Sequence, residues 1–412
     1  MAEKTVAIIG TLDTKAAEFA FLKRAIEDEG VGTLLIDAGI LADPPFAPDV
    51  GARELASAAG ADLATLRAAR DRGPAVTAMA DGAAATVTRL QAEGRIHGII
   101  GMGGGGGTSI AARAMRALPV GFPKLIVSTL AAGDISPYVG VKDIMMMPSI
   151  VDIAGINRLS SEIMANAAGA IAGMVKAKRP GAGSAKPLVA ATMFGVTTPC
   201  VTKARAVLED AGYEVLVFHA TGTGGRTMEE LVRAGFVEGV LDITTTELAD
   251  ELAGGVLSAG PDRLTAAGEK GIPQVVSSGA LDMVNFGAPE TVPARYASRL
   301  FYRHNPQVTL MRTTVEENAA LGRILAEKLN AASGPTTFIL PKGGVSAIDL
   351  PGKPFHDPEA DAAFIRELKA NLGANVTLVE RDADINDEAF ATEAANLLIA
   401  MLKEKRGGAA AP

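Results

Sequence analysis

Residues 98–115 read "GIIGMGGGGGTSIAARAM": an apolar run, five consecutive glycines from Gly103 to Gly107, and a stretch of helical spacing that opens at Thr108. A short apolar run that ends in glycine and feeds a helix is one step of a parallel sheet covered on both faces. Taken alone, the glycines admit three readings: a nucleotide cradle, another anion site, or a flexible turn.

The same alternation continues on either side. Strands are predicted at 5–10, 32–39, 96–103, 123–129 and 143–149. Residues 13–30, "DTKAAEFAFLKRAIEDEG", carry apolar side chains at helical spacing and stop at Gly30, the expected place for a C-terminal cap. Residues 40–75 interrupt the pattern with a Pro-rich turn and two short Ala-rich helices, either a lid or a packing appendage. A long helix is expected near 153–178, and "KAKRPGAGSAKP" (176–187) reads as a linker.

Beyond it the plan repeats. "PLVAATMFGVTTPCVTKARAVLEDAGYEVLVFHATG" (187–222) follows "TVAIIGTLDTKAAEFAFLKRAIEDEGVGTLLIDAG" (5–39) in order: strand, glycine with a Thr-rich turn, helix, glycine stop, strand. "IHGIIGMGGGGGTSIA" answers to "VEGVLDITTTELADEL", and "PKLIVSTLAAGD" to "PQVVSSGALDM". The expectation is therefore an α/β protein of two related, doubly wound, Rossmann-like domains with mainly parallel sheets, 1–180 and 187–405. Strands near 308–314, 336–341 and 375–380 extend the second domain, a helix at about 387–404 closes it, and the tail 406–412 is expected to be disordered.

With 412 residues and 48% of them apolar, the chain is long enough for two cores. Its 39 basic and 47 acidic residues leave a net charge of −8, against an electrostatic footprint for nucleic acid or an anionic membrane. Cys200 is the single cysteine, which excludes an internal disulfide and a multi-cysteine zinc site. No signal-peptide pattern or membrane-length apolar run is present, so a cytoplasmic protein is expected.

Doubly wound sheets bind ligands at the carboxyl ends of their strands, where every Gly- and Thr-rich turn of this chain falls. "GTLDTK" places Gly10, Thr11, Asp13, Thr14 and Lys15 at a helix start, suited to a phosphate with Lys15 as point charge or, alternatively, to a cap by Asp13 or Thr14. Gly103, Gly104, Gly105, Gly106 and Gly107 allow a backbone anion nest with positive φ, joined by Thr108 and Ser109. Ser128, Thr129 and Asp134 follow the fourth strand. Gly101 to Gly106 fit G-x-G-x-x-G, but after the third strand and with no acid ending "LIVST", and a Walker lysine is missing. A mononucleotide is the better reading. In the second half, Thr197, Thr198, Lys203, His219, Arg226, Ser277, Ser278 and Asp282 form parallel turns. "TGTGGRT" suits an anionic group, and Arg312, Lys342, Ser346 and Asp349 sit at later strand ends. Cys200 has no local base and is read as inert. Asp13, Asp134, Arg226 and His304 are the catalytic candidates.

Assembled, "GTLDTK", "GMGGGGGTS", "STLAAGD", "MPSIVDIAGIN", "HNPQVTLMRTT" and "LPKGGVSAID" resemble the ATP-binding family that includes the N-terminal region of the tomato mosaic virus resistance protein, over residues 6 to about 390. The resemblance implies a two-domain α/β protein that binds ATP in its N-terminal domain and forms a homodimer. It carries the nucleotide to Gly10, Thr11, Asp13, Lys15, Gly103 to Gly107, Thr108, Ser128 and Thr129. The expected function is ATP binding, with Mg2+, and an ATP-dependent reaction on a small anionic metabolite between the domains. The alternatives are a non-catalytic, ATP-responsive interaction module and a dinucleotide-dependent oxidoreductase.

Overall fold

A computed structural model describes residues 4–178 and 186–409. Residues 179–185 of the expected linker and 410–412 of the expected tail lie outside the described residues. The chain divides into two compact units, Met1–Gly181 and Ala182–Pro412. Among the described residues no helix is long and apolar enough to cross a membrane.

The first unit runs β1 (Thr5–Gly10), α1 (Leu12–Asp28), β2 (Gly32–Asp37), α2 (Ala52–Ala58), α3 (Leu63–Ala69), α4 (Arg72–Ala92), β3 (Gly98–Gly103), α5 (Gly105–Arg116), β4 (Lys124–Ser128), α6 (Ser136–Val139), β5 (Met145–Pro148) and α7 (Arg158–Lys176). Its strands form one parallel sheet in the order β2-β1-β3-β4-β5. Alternation along β1 splits its residues between two cores. Ala7 and Ile9 pack with α2, α4 and α5 through Leu55, Met79, Ala83 and Met115. Val6 and Ile8 pack with α1 and α7 through Phe19, Leu22, Ile26 and Ile171.

The insertion after β2 is a packing element. Leu55, Ala56 and Leu63 are buried in the core, and α4 passes so close to α2 that a Cβ on Gly82 would meet Leu55 O at 1.9 Å. The helix expected from 153 begins at Arg158, because Asn157 caps it by accepting from Leu159 N and Ser160 N.

The second unit runs β6 (Leu188–Met193), α8 (Thr198–Asp210), β7 (Glu214–His219), α9 (Thr223–Arg233), β8 (Gly239–Thr244), α10 (Glu247–Ala253), α11 (Ala266–Glu269), β9 (Gln274–Gly279), β10 (Met283–Phe286), β11 (Phe301–Asn305), β12 (Val308–Arg312), α12 (Val315–Asn330), β13 (Thr336–Pro341), α13 (Pro358–Asn371), β14 (Val376–Arg381) and α14 (Glu388–Ala409). Its parallel sheet, β14-β13-β9-β8-β6-β7, repeats the first order with one strand more. Equivalent registers coincide: Val6 faces Gly98 in one sheet and Val189 faces Gly239 in the other.

Two expectations change here. The strand at 308–312 does not extend the parallel sheet. It is the centre of a separate antiparallel sheet, β10-β12-β11, because the chain turns back at Gln307, whose N–H donates to Asn305. The last helix runs on to Ala409, past the predicted start of the disordered tail at 406. Arg406 pairs with Glu238 at 2.7 Å and lies over the Tyr213 ring.

The second unit buries an ionic network. Arg263, 1% exposed, donates to Glu247 and Asp242 and pairs with Glu229. Removing one member of such a set leaves charges buried without compensation. Arg263→Ala is expected to destabilise the second domain by about 3–5 kcal/mol, measured as a shift of its denaturant midpoint.

Candidate functional site

In the order β2-β1-β3-β4-β5, the sense in which successive strands are added reverses between β1 and β3, and a doubly wound sheet opens its crevice at that switch point. A cleft of about 750 Å³ lies there, within the ~300–1,000 Å³ range of small-molecule sites. The turn after β1 supplies Thr11, Asp13, Thr14 and Lys15, and the turn after β3 supplies Gly103 to Gly107. The structure thus gathers two turns that lie some ninety residues apart in sequence.

None of the five glycines has a positive φ, contrary to expectation. Gly103 ends β3, Gly104 is the N-cap of α5, and Gly105, Gly106 and Gly107 are its first turn. The first intrahelical bond runs from Thr108 N to Gly104 O, and no side chain caps the helix, so the N–H groups of Gly105 to Gly107 have no intrahelical acceptor. Sterics separate the glycines further. A Cβ on Gly101 would meet Ala111 Cβ at 2.4 Å, whereas one on Gly104 or Gly105 would find its nearest neighbour at 3.6 or 3.9 Å. Nothing in the protein itself requires glycine at 104 and 105. Bareness there leaves the helix end open to the cleft.

The other wall comes from the insertion, through residues that sequence reasoning missed. Leu66 and Ile40 of the insertion, Val76 and Met79 of the following α4 and Ile110 of α5 form an apolar surface, and Arg67, Arg70 and Arg72 bring positive charge. Arg67 is held by Ile40 O and Asp43. Arg70 and Arg72 have no hydrogen-bond or ion-pair partner among the described residues. Arg70 caps α3 in the left-handed region, with φ 52. The Arg72 guanidinium lies 3.3 Å from where a Gly106 Cβ would stand. Their signal, "LRAARDRG", looks in sequence like a solvated helix face.

Within the first turn, α1 is kinked at Lys15 (φ −133, ψ 33), whose ammonium donates to Ile153 O. Asp13 Oδ2 accepts from Leu41 N at 2.8 Å and so ties the insertion to α1. Its Oδ1 is buried with no partner among the described residues. Asp37, also missed, ends β2 and accepts from Leu12 N and Gly39 N. Burial pushes its carboxyl above the usual range, against the lowering by those two amides.

Other expected neighbours lie elsewhere. Gly10 is covered by the Phe19 ring, 1.7 Å from a hypothetical Cβ, and serves packing. Thr108 and Ser128 are fully buried and bonded to each other at 2.7 Å, tying α5 to β4. Ser109 donates back to Gly105 O. Thr129 and Asp134 do not line the cleft; Asp134 is exposed and accepts from Ser136, whose hydrogen bonds hold its carboxyl low. Asp152 does line it.

Residues 4–180 match the N-terminal domain, and 186–402 the C-terminal domain, described as uncharacterised protein family UPF0261. The chain belongs to the UPF0261 family. A UPF0261 protein of Clostridium tetani is 54% identical over 97% of this chain and 100% of its own length. The ToMV resistance protein Tm-1(GCR237) of Solanum lycopersicum is 43% identical, over 93% of this chain and 54% of the tomato protein. Among solved structures, a UDP-N-acetylglucosamine 2-epimerase from Rickettsia bellii covers 66% of this chain and 78% of its own at 10% identity and a TM-score of 0.23, too loose a match to carry an argument about ligand.

The C-terminal UPF0261 domain uses its own turns internally. The start of α9, expected to suit an anion, is filled by Glu247, which accepts from Gly222 N and Gly225 N at 2.7 and 3.0 Å. Arg226 is exposed and lies back against Gly222 O. His304 is exposed on the β11 hairpin. Lys203 pairs with Glu388 and Lys342 with Asp382. Cys200 is buried, and burial pushes its thiol to about 12. Arg312 is buried among Phe355 O, Asp349 and Asp361, with Ser346 donating to Asp282.

Burial raises Asp282 to about 6 and Asp349 to about 8. Both carboxyls hold protons in the folded state that the unfolded chain releases. Their stabilising contribution is complete below the unfolded carboxylate range, about 4, and is lost as pH rises through those values. Denaturant midpoints of the C-terminal domain are expected to fall between pH 5.5 and 8.5, with a shallower fall for Asp349→Asn.

Glycine replacements give a second check. Gly10→Ala and Gly101→Ala are expected to destabilise by about 1–3 kcal/mol through overpacking. Gly104→Ala and Gly105→Ala are expected to leave stability unchanged or raise it by up to ~1 kcal/mol, measured by chemical denaturation.

Proposed function

We propose that this chain is an ATP-binding protein, with the nucleotide in the N-terminal cleft, its phosphates on the first turn of α5 and its base against the apolar wall of the insertion. The carrying observation is the uncapped α5 N-terminus facing Arg70 and Arg72, two guanidiniums without partners, in a cleft large enough for a small molecule. Free helix-start amides and arginine forks suit phosphate oxygens, and Ile40, Leu66, Val76 and Met79 suit a planar base. The resemblance of "GTLDTK" and "GMGGGGGTS" to an ATP-binding family points to the same ligand.

Magnesium needs few protein ligands when it travels with phosphates, keeping waters and taking one or two carboxylates. The unpartnered Oδ1 of Asp13 is the group suited to it. No larger cluster of metal-ligating side chains occurs among the described residues. A dinucleotide is disfavoured because the glycine-rich turn follows β3, whereas the dinucleotide fingerprint occupies the turn after the first strand.

Of the readings built on ATP, the responsive module gains from the second domain, where Arg226, Lys342, Arg312 and the α9 start are engaged by the chain itself. An ATP-dependent reaction on a small anionic metabolite requires those groups to be released.

Titration calorimetry with Mg2+ and ATP is expected to show saturable binding, weakened about tenfold or more in Arg72→Ala, the loss of one charge-assisted contact, with unfolding unchanged. NAD is expected to raise the melting temperature less than ATP does. Equal affinity of Arg72→Ala and parent removes the insertion arginines from the site, and a larger shift with NAD favours the oxidoreductase.

A further inference from the structure

The segment between β5 and α7 is tied to the cleft through α1. Lys15 donates to Ile153 O, and Glu18, one turn further along α1 and 5% exposed, accepts from Gly155 N at 2.6 Å. Asp152, from the same segment, lines the cleft. At its start, Ile150 holds a φ of 63, a left-handed conformation that a β-branched residue adopts only where its surroundings impose it. Besides Ser149 N on Ser128 O, Ser160 Oγ on Gly155 O and the packing of Ile153 in the core, this strained segment is anchored by two side chains of α1.

We infer that residues 149–157 are the element through which the cleft reports its occupancy. Lys15 is at once a cleft-lining cation and the anchor of Ile153. An anion on the first turn of α5 attracts the Lys15 ammonium away from the carbonyl and repels the Asp152 carboxylate. Both forces act on the segment in the same direction, toward release. Ile150 then relaxes from the left-handed region, and the Gly155 amide loses its buried acceptor. The kink of α1 at Lys15, which aims the side chain at Ile153 rather than along the helix, belongs to the anchored arrangement. This inference rests on the nucleotide reading of the cleft and adds its regulation: occupancy changes a surface segment that carries the exposed apolar side chains Ile150 and Ile156.

Amide hydrogen exchange of the 149–157 segment in the full chain tests it, with Mg2+–ATP and inorganic triphosphate as probes and calorimetry on the same samples. In the parent, saturating ATP is expected to speed exchange of the Gly155 amide by about tenfold or more, as local opening becomes easier. Lys15→Met is expected to exchange fast without nucleotide and to show no further change with it. Asp152→Asn, which keeps the anchor and removes the repulsion, is expected to give a smaller response than the parent. ATP binding in the parent with unchanged or slower exchange overturns the inference and leaves the nucleotide reading standing. Absence of a calorimetric signal overturns both.

Discussion

Strands β1 and β3 lie side by side in the N-terminal sheet, yet the helices that follow them leave toward opposite faces. Phe19, Leu22 and Ile26 of α1 enter one core, and Ile110, Ala111 and Met115 of α5 enter the other. The gap between the two departing chains cannot be filled by either helix. Only short side chains or bare backbone at the two exits keep it open, which is what Thr11 and Gly103 to Gly107 provide. Alternate residues of β1 and β3 enter the two cores, and with the close approach at Gly10 and Gly101 they fix the two helices against the sheet, so that the cleft follows from that packing.

The second half of the chain shows the same geometry closed by its own side chains. Aligned by the repeat, Gly103 to Gly106 correspond to Thr244, Thr245, Thr246 and Glu247. Thr244 bonds Thr197 from the neighbouring exit at 2.7 Å, and Glu247 turns its carboxylate onto the amides of Gly222 and Gly225. A carboxylate of the protein stands where an external anion would be expected. The correspondence also accounts for an isolated oddity. Ser278, the counterpart of Ser128, is buried with no partner, and the residue in the place of Thr108, which satisfies Ser128, is Ala249. The polar tie that joins α5 to β4 in the first domain has lost one of its ends in the second.

Much of the architecture was legible in the sequence because strand and helix periods are written locally. The five strands of the first sheet, the glycine stops and the repeat all rest on patterns within a few residues. The antiparallel sheet was not legible, because "VTLMRTT" has the same composition as a buried parallel strand and only the reversal at Gln307 decides its partners. The candidate site was half legible. Turn positions followed from the strand ends, but side-chain direction did not: Thr108 and Ser128 differ from Thr11 and Thr14 only in which way the backbone aims them. Arg70 and Arg72 escaped notice because a distant insertion carries them, and folding alone brings them to the glycine turn.

Electrostatics links that insertion to the glycines. A guanidinium beside the first turn of a helix meets the positive end of the helix dipole, an arrangement that costs free energy unless an anion lies between them. Arg72 is in this position against Gly106, and no acid of the described chain answers it. Asp71, its neighbour, is spent on capping α4 through Gly73 N. In a chain with a net charge of −8, carboxylates are abundant enough to have supplied a partner, as Glu247 does for α9. The counterpart of α5 in the second domain, α10, also lacks a side-chain cap, but its start is buried, with Thr246, Glu247 and Leu248 all closed from solvent. The start of α5 has been left with free amides and a free cation on the same side of one cleft, and the proposed anion is what would compensate both.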